Sequence, residues 1–388
     1  MRSYDAPMAS RPDSVRMLVL SLAGGMPAQE IRQLAAQDQL PDKIVADAYG
    51  AEELDDLDLA GVGGMRGRLL RALPASAAVA LEAWWRRREY EVMLTWGEST
   101  AFPLALMLAL TPRRRTSHIA VLMWPFNESN PSRARRLLKR VAFRLLALHG
   151  IDRFCLPSPR QRELAIERWG ISPHSVLPVL WPIDTDFWRP MEGAGDMILS
   201  AGVEMRDYPT LLRALEGLPI PCHIAAGKGF LRPDSTAVDA DLARLDEESL
   251  PANVTVGPRS PLEMRELYAR SRIVVVPILR SQSDNGVTVV AEAMAMERPV
   301  ISTATEGHAE ILKDGEDCVL VAPGDVEGLR AAILALWEDH ERCARLGAAG
   351  RELVVPAHGL VQWVSGVRAA AAELAGSRRA PAAPPDSR

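Results

Sequence analysis

Asp284 and Glu292 stand eight residues apart in "SDNGVTVVAEAMAMERPVIS". The segment reads as a polar loop ending at Gly286, a helix to about Met296, and the start of a buried strand at "RPVIS". Gly286 lets backbone N–H groups come close to a ligand, and the positive end of the helix dipole favours a diphosphate beside Val287 and Thr288. A carboxylate at Glu292 can accept two hydroxyl donors, as a ribose diol provides. One at Asp284 can accept the hydroxyls of a sugar beyond the phosphates. The alternative is an Asp284 that only caps the helix and a Glu292 that faces water. Val289, Val290, Ala291, Ala293, Met294 and Met296 surround Glu292 with apolar side chains, which weighs against a solvated face. Spacing alone leaves both readings open.

The surrounding pattern supplies elements able to position these groups. Short apolar runs alternate with amphipathic stretches from residue 15 to about 373, the pattern of α/β architecture with parallel sheets. Strands are expected at 16–22, 42–46, 90–96, 117–124, 151–155 and 176–181. A second series is expected at 196–202, 220–226, 253–256, 272–278, 299–303 and 317–321. The reading is an N-terminal extension at 1–14, a Rossmann-like domain at 15–182 and a linker at 183–190. A second Rossmann-like domain follows at 191–355, then a C-terminal helix at 356–375 that returns to the first domain, and a disordered tail at 376–388. Two such doubly wound sheets facing each other are expected to form a cleft at the carboxyl ends of their strands.

Composition narrows the class. A chain of 388 residues with 48% hydrophobic and 24% charged residues can bury two cores. Its net charge of −5 makes no overall case for nucleic acid. Lysine occurs only at Lys43, Lys139, Lys228 and Lys313, so the positive charge is nearly all arginine, the planar anion-binding side chain. Cys155, Cys222, Cys318 and Cys343 show no metal or disulfide spacing and read as buried thiols. "VRMLVLSLAGG" at 15–25 reads as a first strand rather than a leader peptide, and a cytoplasmic location is expected. HExxH, GxSxG, P-loop and GxGxxG patterns are missing, which argues against zinc and serine hydrolases, kinases and dehydrogenases.

The segment at 284–292 resembles the Glu-x7-Glu signature of retaining GT-B nucleotide-sugar glycosyltransferases of family 4, glycosyl transferases group 1. "NVTVGPRSPLEMRELYARSRIVVVPI" at 253–278 is similar to the strand–helix–strand before that signature. "GHAEILKDGEDCVLVAPGDVEGLRAAI" at 307–333 resembles the segment after it, and "PIDTDFWRP" resembles the family's interdomain stretch. The likeness covers about 150–335. It departs in having Asp284 for the first glutamate, and "AGVEMRDYPTLLRAL" at 201–215 where the family places an arginine and a lysine.

The resemblance implies a GT-B fold and transfer of a sugar, with retention, from a UDP- or GDP-type donor. It implies that Glu292 holds the ribose and Asp284 the sugar hydroxyls. Arg206, with the Gly286, Val287 and Thr288 amides, is expected to clamp the diphosphate. Lys228 would assist, and Gly24 and Gly25 would form the glycine loop near the phosphates. No essential metal and no cofactor are expected. Trp96, Glu98 and Trp124 stand at strand ends and read either as packing or as the acceptor side. The 131–149 helix, basic on one side and apolar on the other, reads as core packing or as a peripheral membrane contact. The acceptor is a small metabolite, a lipid carrier or a glycan. Two other classes share the pattern: a nucleotide-sugar epimerase and a non-catalytic nucleotide-sugar-binding module.

Overall fold

The computed structural model describes residues 15–22, 26, 28–42, 46–123, 141, 143–144, 149–226, 250–281, 285–309 and 311–379. The chain divides into two compact units. One comprises Met1–Gln33, Lys43–Leu180 and Val361–Arg388, the other Leu34–Asp42 and Trp181–Leu360.

The first unit is built on a parallel sheet in the order β2-β1-β3-β4-β5-β6. Its strands are β1 (Met17–Leu20), β2 (Glu52–Leu54), β3 (Val92–Trp96), β4 (Ser117–Val121), β5 (Arg153–Cys155) and β6 (Val176–Leu177). β1 and β4 are buried at every position, as both faces of a parallel sheet require. One face is packed by α1 (Ala75–Arg86) and by α2 (Glu98–Ala109), which contribute Val79, Ala83, Leu104 and Leu108. The other receives Trp363, Val364, Val367, Ala371 and Leu374 from the C-terminal helix.

The second unit repeats the plan with the order β12-β11-β10-β7-β8-β9. Its strands are β7 (Met197–Ala201), β8 (Cys222–Ala225), β9 (Val254–Val256), β10 (Ser271–Val276), β11 (Val300–Thr303) and β12 (Val319–Val321). The helices that matter below are α3 (Tyr208–Leu215), α4 (Pro261–Arg270), α5 (Val287–Ala295), α6 (Val326–Glu338) and α7 (His340–His358). α8 (Leu360–Arg379) ends the described chain.

The described residues bear on several expectations. Of the strand expected at 42–46, residues 43–45 lie outside the described residues; Ala46–Tyr49 is a helical turn, and a strand follows at Glu52–Leu54 after Gly50 at φ 68° stops the helix. The 183–190 stretch, read as the interdomain linker, is packed on the second unit. Ile183, Phe187 and Trp188 are buried in the second unit, and Asp184 accepts the N–H groups of Asp186 and Phe187 at 3.1 Å. The helix at 356–375 is two helices, since α7 runs through Pro356 to His358 and α8 begins at Leu360. The tail does not begin at 376: α8 reaches Arg379, with Arg378 donating to Ser117 Oγ at 2.6 Å and Asp152 Oδ1 at 3.0 Å. Residues 34–42 also group with the second unit, where Arg189 and Arg265 pair with Asp38 and hold its carboxyl down at about 2. Among the described residues, no helix is long and apolar enough to cross a membrane.

Candidate functional site

The site lies within the second unit, around the carboxyl ends of β7 and β10. β7 ends at Ala201, and Gly202 at φ 91° turns the chain back toward the sheet. Two bonds dock the returning loop on the segment after β10: Leu279 N–H to Met205 O at 2.9 Å and Asp207 N–H to Pro277 O at 3.0 Å. Arg206 is thereby carried inward and is 7% exposed. Its Nε donates to Ala201 O and its Nη1 to Glu204 O, each at 2.8 Å. Asp207, the adjacent acid, is occupied elsewhere: it caps α3, accepting from Thr210 N at 3.2 Å and Thr210 Oγ1 at 2.7 Å. No carboxylate pairs with Arg206 among the described residues. Burial without a counter-ion pulls its pKa below the ordinary arginine value, with Tyr208, Tyr268 and Glu204 opposing. A buried guanidinium held by carbonyls alone is expensive to keep charged, and an anion beside it relieves that cost.

The start of α5 is next to it. Gly286 is the N-cap at φ 90°, and among the described residues no side chain caps this end of the helix. The first intrahelical bond runs from Val290 N–H to Gly286 O at 3.0 Å, so the amides of the first turn have no partner inside the helix. A Cβ at 286 would stand 3.3 Å from Arg206 Nη1, 2.9 Å from Val276 Cγ1 and 3.0 Å from Ile278 Cδ1. An unpaired guanidinium and an uncapped, half-exposed helix terminus therefore share one spot. Both favour negative charge. Gly286→Ala is expected to cost about 1–2 kcal/mol from the left-handed backbone alone, before the crowding of Val276 and Ile278. Thermal unfolding of that variant should fall by about 2–4 °C for each kcal/mol, and an unshifted midpoint would contradict the crowding.

Two turns along α5, Glu292 accepts the Tyr268 hydroxyl at 3.0 Å. Ala291, Ala293, Met294 and Ala295 around it are buried, and it keeps only partial contact with solvent. Burial raises its pKa to about 8, against the Tyr268 hydrogen bond, which lowers it. Tyr268 is fully buried near the end of α4, and Trp188 packs on it edge-on with ring centroids 5.5 Å apart. The "DFWRP" segment thus braces the tyrosine that orients Glu292. Sequence reasoning missed Tyr268, which sits 24 positions from Glu292. The available signal was a hydroxyl-bearing aromatic in "RELYARSR", at the end of the helix feeding β10.

Arg206, Gly286, Val287, Thr288 and Glu292 are therefore brought together. Asp284, Lys228, Gly24, Gly25 and Trp124 lie outside the described residues, as does most of the 131–149 stretch. Trp96 and Glu98 belong to the first unit. Trp96 stacks on Trp363 at 5.5 Å and 24°, which commits one ring face to the core, and Glu98 Oε1 accepts Met123 N–H at 2.7 Å.

Comparison with known proteins bears on this arrangement. Residues 219–339, which include β10 and α5, match the glycosyl transferases group 1 family. The D-inositol 3-phosphate glycosyltransferase of Rhodococcus jostii is 30% identical over 195 residues, 49% of this chain and 39% of that protein. The lipopolysaccharide core biosynthesis glycosyltransferase LpsE of Rhizobium meliloti is 37% identical over 67 residues, 17% of this chain and 20% of that one. The chain spans only 16% to 46% of the length of the curated relatives it matches. Sucrose-phosphate synthase from Thermosynechococcus elongatus superposes with a TM-score of 0.67 at 17% identity, covering 94% of this chain and 100% of that structure. Anabaena HepE in complex with UDP and glucose superposes with a TM-score of 0.65 at 15% identity, covering 92% and 99%. At those identities the likeness establishes a shared fold.

Proposed function

We propose, for a chain that has the GT-B fold and whose residues 219–339 belong to the glycosyl transferases group 1 family, that it moves a sugar from a nucleoside diphosphate sugar to an acceptor hydroxyl. One observation carries the reading: a buried arginine with no carboxylate partner among the described residues lies beside an uncapped helix terminus, two turns from a carboxyl group among apolar neighbours. Glu292 holds the ribose diol. Arg206 and the Gly286, Val287 and Thr288 amides hold the diphosphate. By resemblance, Asp284 takes the sugar hydroxyls and Lys228 assists at the phosphates. UDP is the favoured nucleotide, in keeping with the UDP bound by HepE, and GDP is the alternative.

The chemistry is leaving-group stabilisation. The bond from the anomeric carbon to the diphosphate oxygen breaks, and negative charge gathers on that oxygen beside Arg206 and the helix terminus. The acceptor oxygen bonds to the same face of the anomeric carbon, and its proton passes to the departing diphosphate. Retention follows, with no enzyme base and no metal ion required. Trp96 and Glu98 in the first unit, with Trp124, belong to the acceptor side. The acceptor is a small metabolite, a lipid carrier or a glycan.

Incubation with UDP-, GDP-, ADP- and TDP-sugars, with and without a chelator, tests the assignment. Slow release of one nucleoside diphosphate, unaffected by the chelator and giving sugar of unchanged anomeric configuration by NMR, is the expected result. Conversion of the donor to an isomer makes the protein an epimerase, and binding without turnover makes it a binding module. A rate abolished by the chelator and restored by magnesium overturns the metal-free reading.

A further inference from the structure

A second basic site lies in the first unit, at the amino ends of β1, β3 and β4. Ligands of open α/β sheets sit at the opposite, carboxyl ends. The cavity measures about 1090 Å³ and is lined by seven arginines and a single acid, Glu91. Such a concentration is pronounced in a chain whose net charge is −5.

Three of the arginines have structural work. Arg114 donates to Asp152 at 3.0 Å and Gly150 O at 3.3 Å, and Arg378 to Asp152 and Ser117. Arg87 lies 4.1 Å from the Trp84 ring centroid and donates to Trp84 O at 2.8 Å. These contacts explain those three side chains. They do not explain Arg16, Arg88, Arg113 and Arg115, all exposed, whose side chains make no hydrogen bond or ion pair among the described residues. Glu91, the one acid in the lining, accepts the Arg16 backbone N–H at 3.1 Å, and a single carboxylate leaves the lining with a large excess of positive charge. The loop carrying two of them is held in a strained form, with Arg113 at φ 50°. In it Arg114 turns into its ion pair, while Arg113 and Arg115 stay at the surface.

Four guanidinium groups without a partner among the described residues surround one concavity and repel each other, and each offers a planar fork suited to phosphate oxygens. We propose that this cavity binds a molecule carrying two or more phosphate groups, at a site separate from the one around Arg206. The concave, arginine-walled shape suits a compact ligand that enters it. The phosphates can belong to a soluble metabolite or to a lipid headgroup, and the test separates these sources.

The probes are tripolyphosphate, followed by calorimetry at low ionic strength, and phosphatidic acid vesicles, followed by sedimentation. Wild-type protein is expected to bind at least one of them. The exposed double variant Arg113→Ser/Arg115→Ser should lose at least tenfold in that affinity. Arg68→Ser/Arg71→Ser removes the same charge from an exposed helix outside the cavity and should lose much less. Arg206→Ala leaves this binding in place, so failure here and failure of the proposed function are seen separately. Tripolyphosphate binding marks a soluble ligand, and vesicle binding alone marks a lipid headgroup. The proposal is overturned if neither probe binds, or if the two double variants bind equally well.

Discussion

Arg206→Ala should lower turnover of a nucleotide-sugar donor by about a hundred- to a thousandfold, the loss seen when one preorganised charge-stabilising donor is removed. The guanidinium is already desolvated and held by Ala201 O and Glu204 O, so it needs no reorganisation when charge develops on the diphosphate. Its interaction strengthens as the leaving group separates, so the loss should appear in the rate constant more than in donor affinity. Arg206→Lys should recover only part of the rate, because one ammonium cannot keep both carbonyl contacts and also face the anion. Circular dichroism and thermal unfolding check that the loop survives, since the two carbonyls lose a partner at about 1–3 kcal/mol. Unchanged turnover in a folded Arg206→Ala protein would remove the arginine from the chemistry.

The second large effect is a pH dependence set by Glu292. Its carboxyl is raised from the usual 4.5 to about 8 by burial, so the free protein near neutral pH holds mostly the neutral acid. A ribose diol donates two O–H groups, and the carboxylate accepts both better than the acid does. Donor affinity should therefore climb as pH rises toward 8, by up to about tenfold per unit, and level off above it. Calorimetry between about pH 6.5 and 8.5 follows the protein alone, because both phosphates of a nucleotide sugar are diesters that do not titrate in this range. Glu292→Gln should flatten the profile and bind more weakly at the alkaline end. Stability runs the other way. Because the folded-state pKa is raised, the contribution is whole below the ordinary carboxylate value and is lost as pH rises through about 8. Glu292→Gln should thus gain in unfolding temperature relative to the parent on the alkaline side. A flat affinity profile in the parent protein would contradict the ribose role.

The sheets were legible because parallel strands buried on both faces read as continuous apolar runs, as in "RIVVVP" and "MLVL". At Ala46–Tyr49 the pattern was ambiguous, since "KIVADAY" is too short to separate strand from helix by its apolar run, and Gly50 ends the helical turn before β2. Within the site, the helix opening at Gly286 and the placement of Glu292 followed from local pattern. What Arg206 does was not local: the loop pairing that buries it and the diversion of Asp207 to α3 arise only from the packed β7–β10 pair. The Trp188–Tyr268–Glu292 chain joins three distant segments, and no spacing rule connects them. Trp96, read either as packing or as part of the acceptor side, stacks one ring face on Trp363, a contact between distant segments that no local pattern gives.

The central claim is that Arg206, the start of α5 and Glu292 form one nucleotide-sugar site. Its most direct test is titration of the unmodified protein, Glu292→Ala and Arg206→Ala with UDP- and GDP-sugars at pH 8, with turnover followed in the same samples. The account predicts one donor bound by the unmodified protein, markedly weaker binding in Glu292→Ala, and near-normal binding with lost turnover in Arg206→Ala. Donor affinity and turnover unchanged in both variants would contradict it.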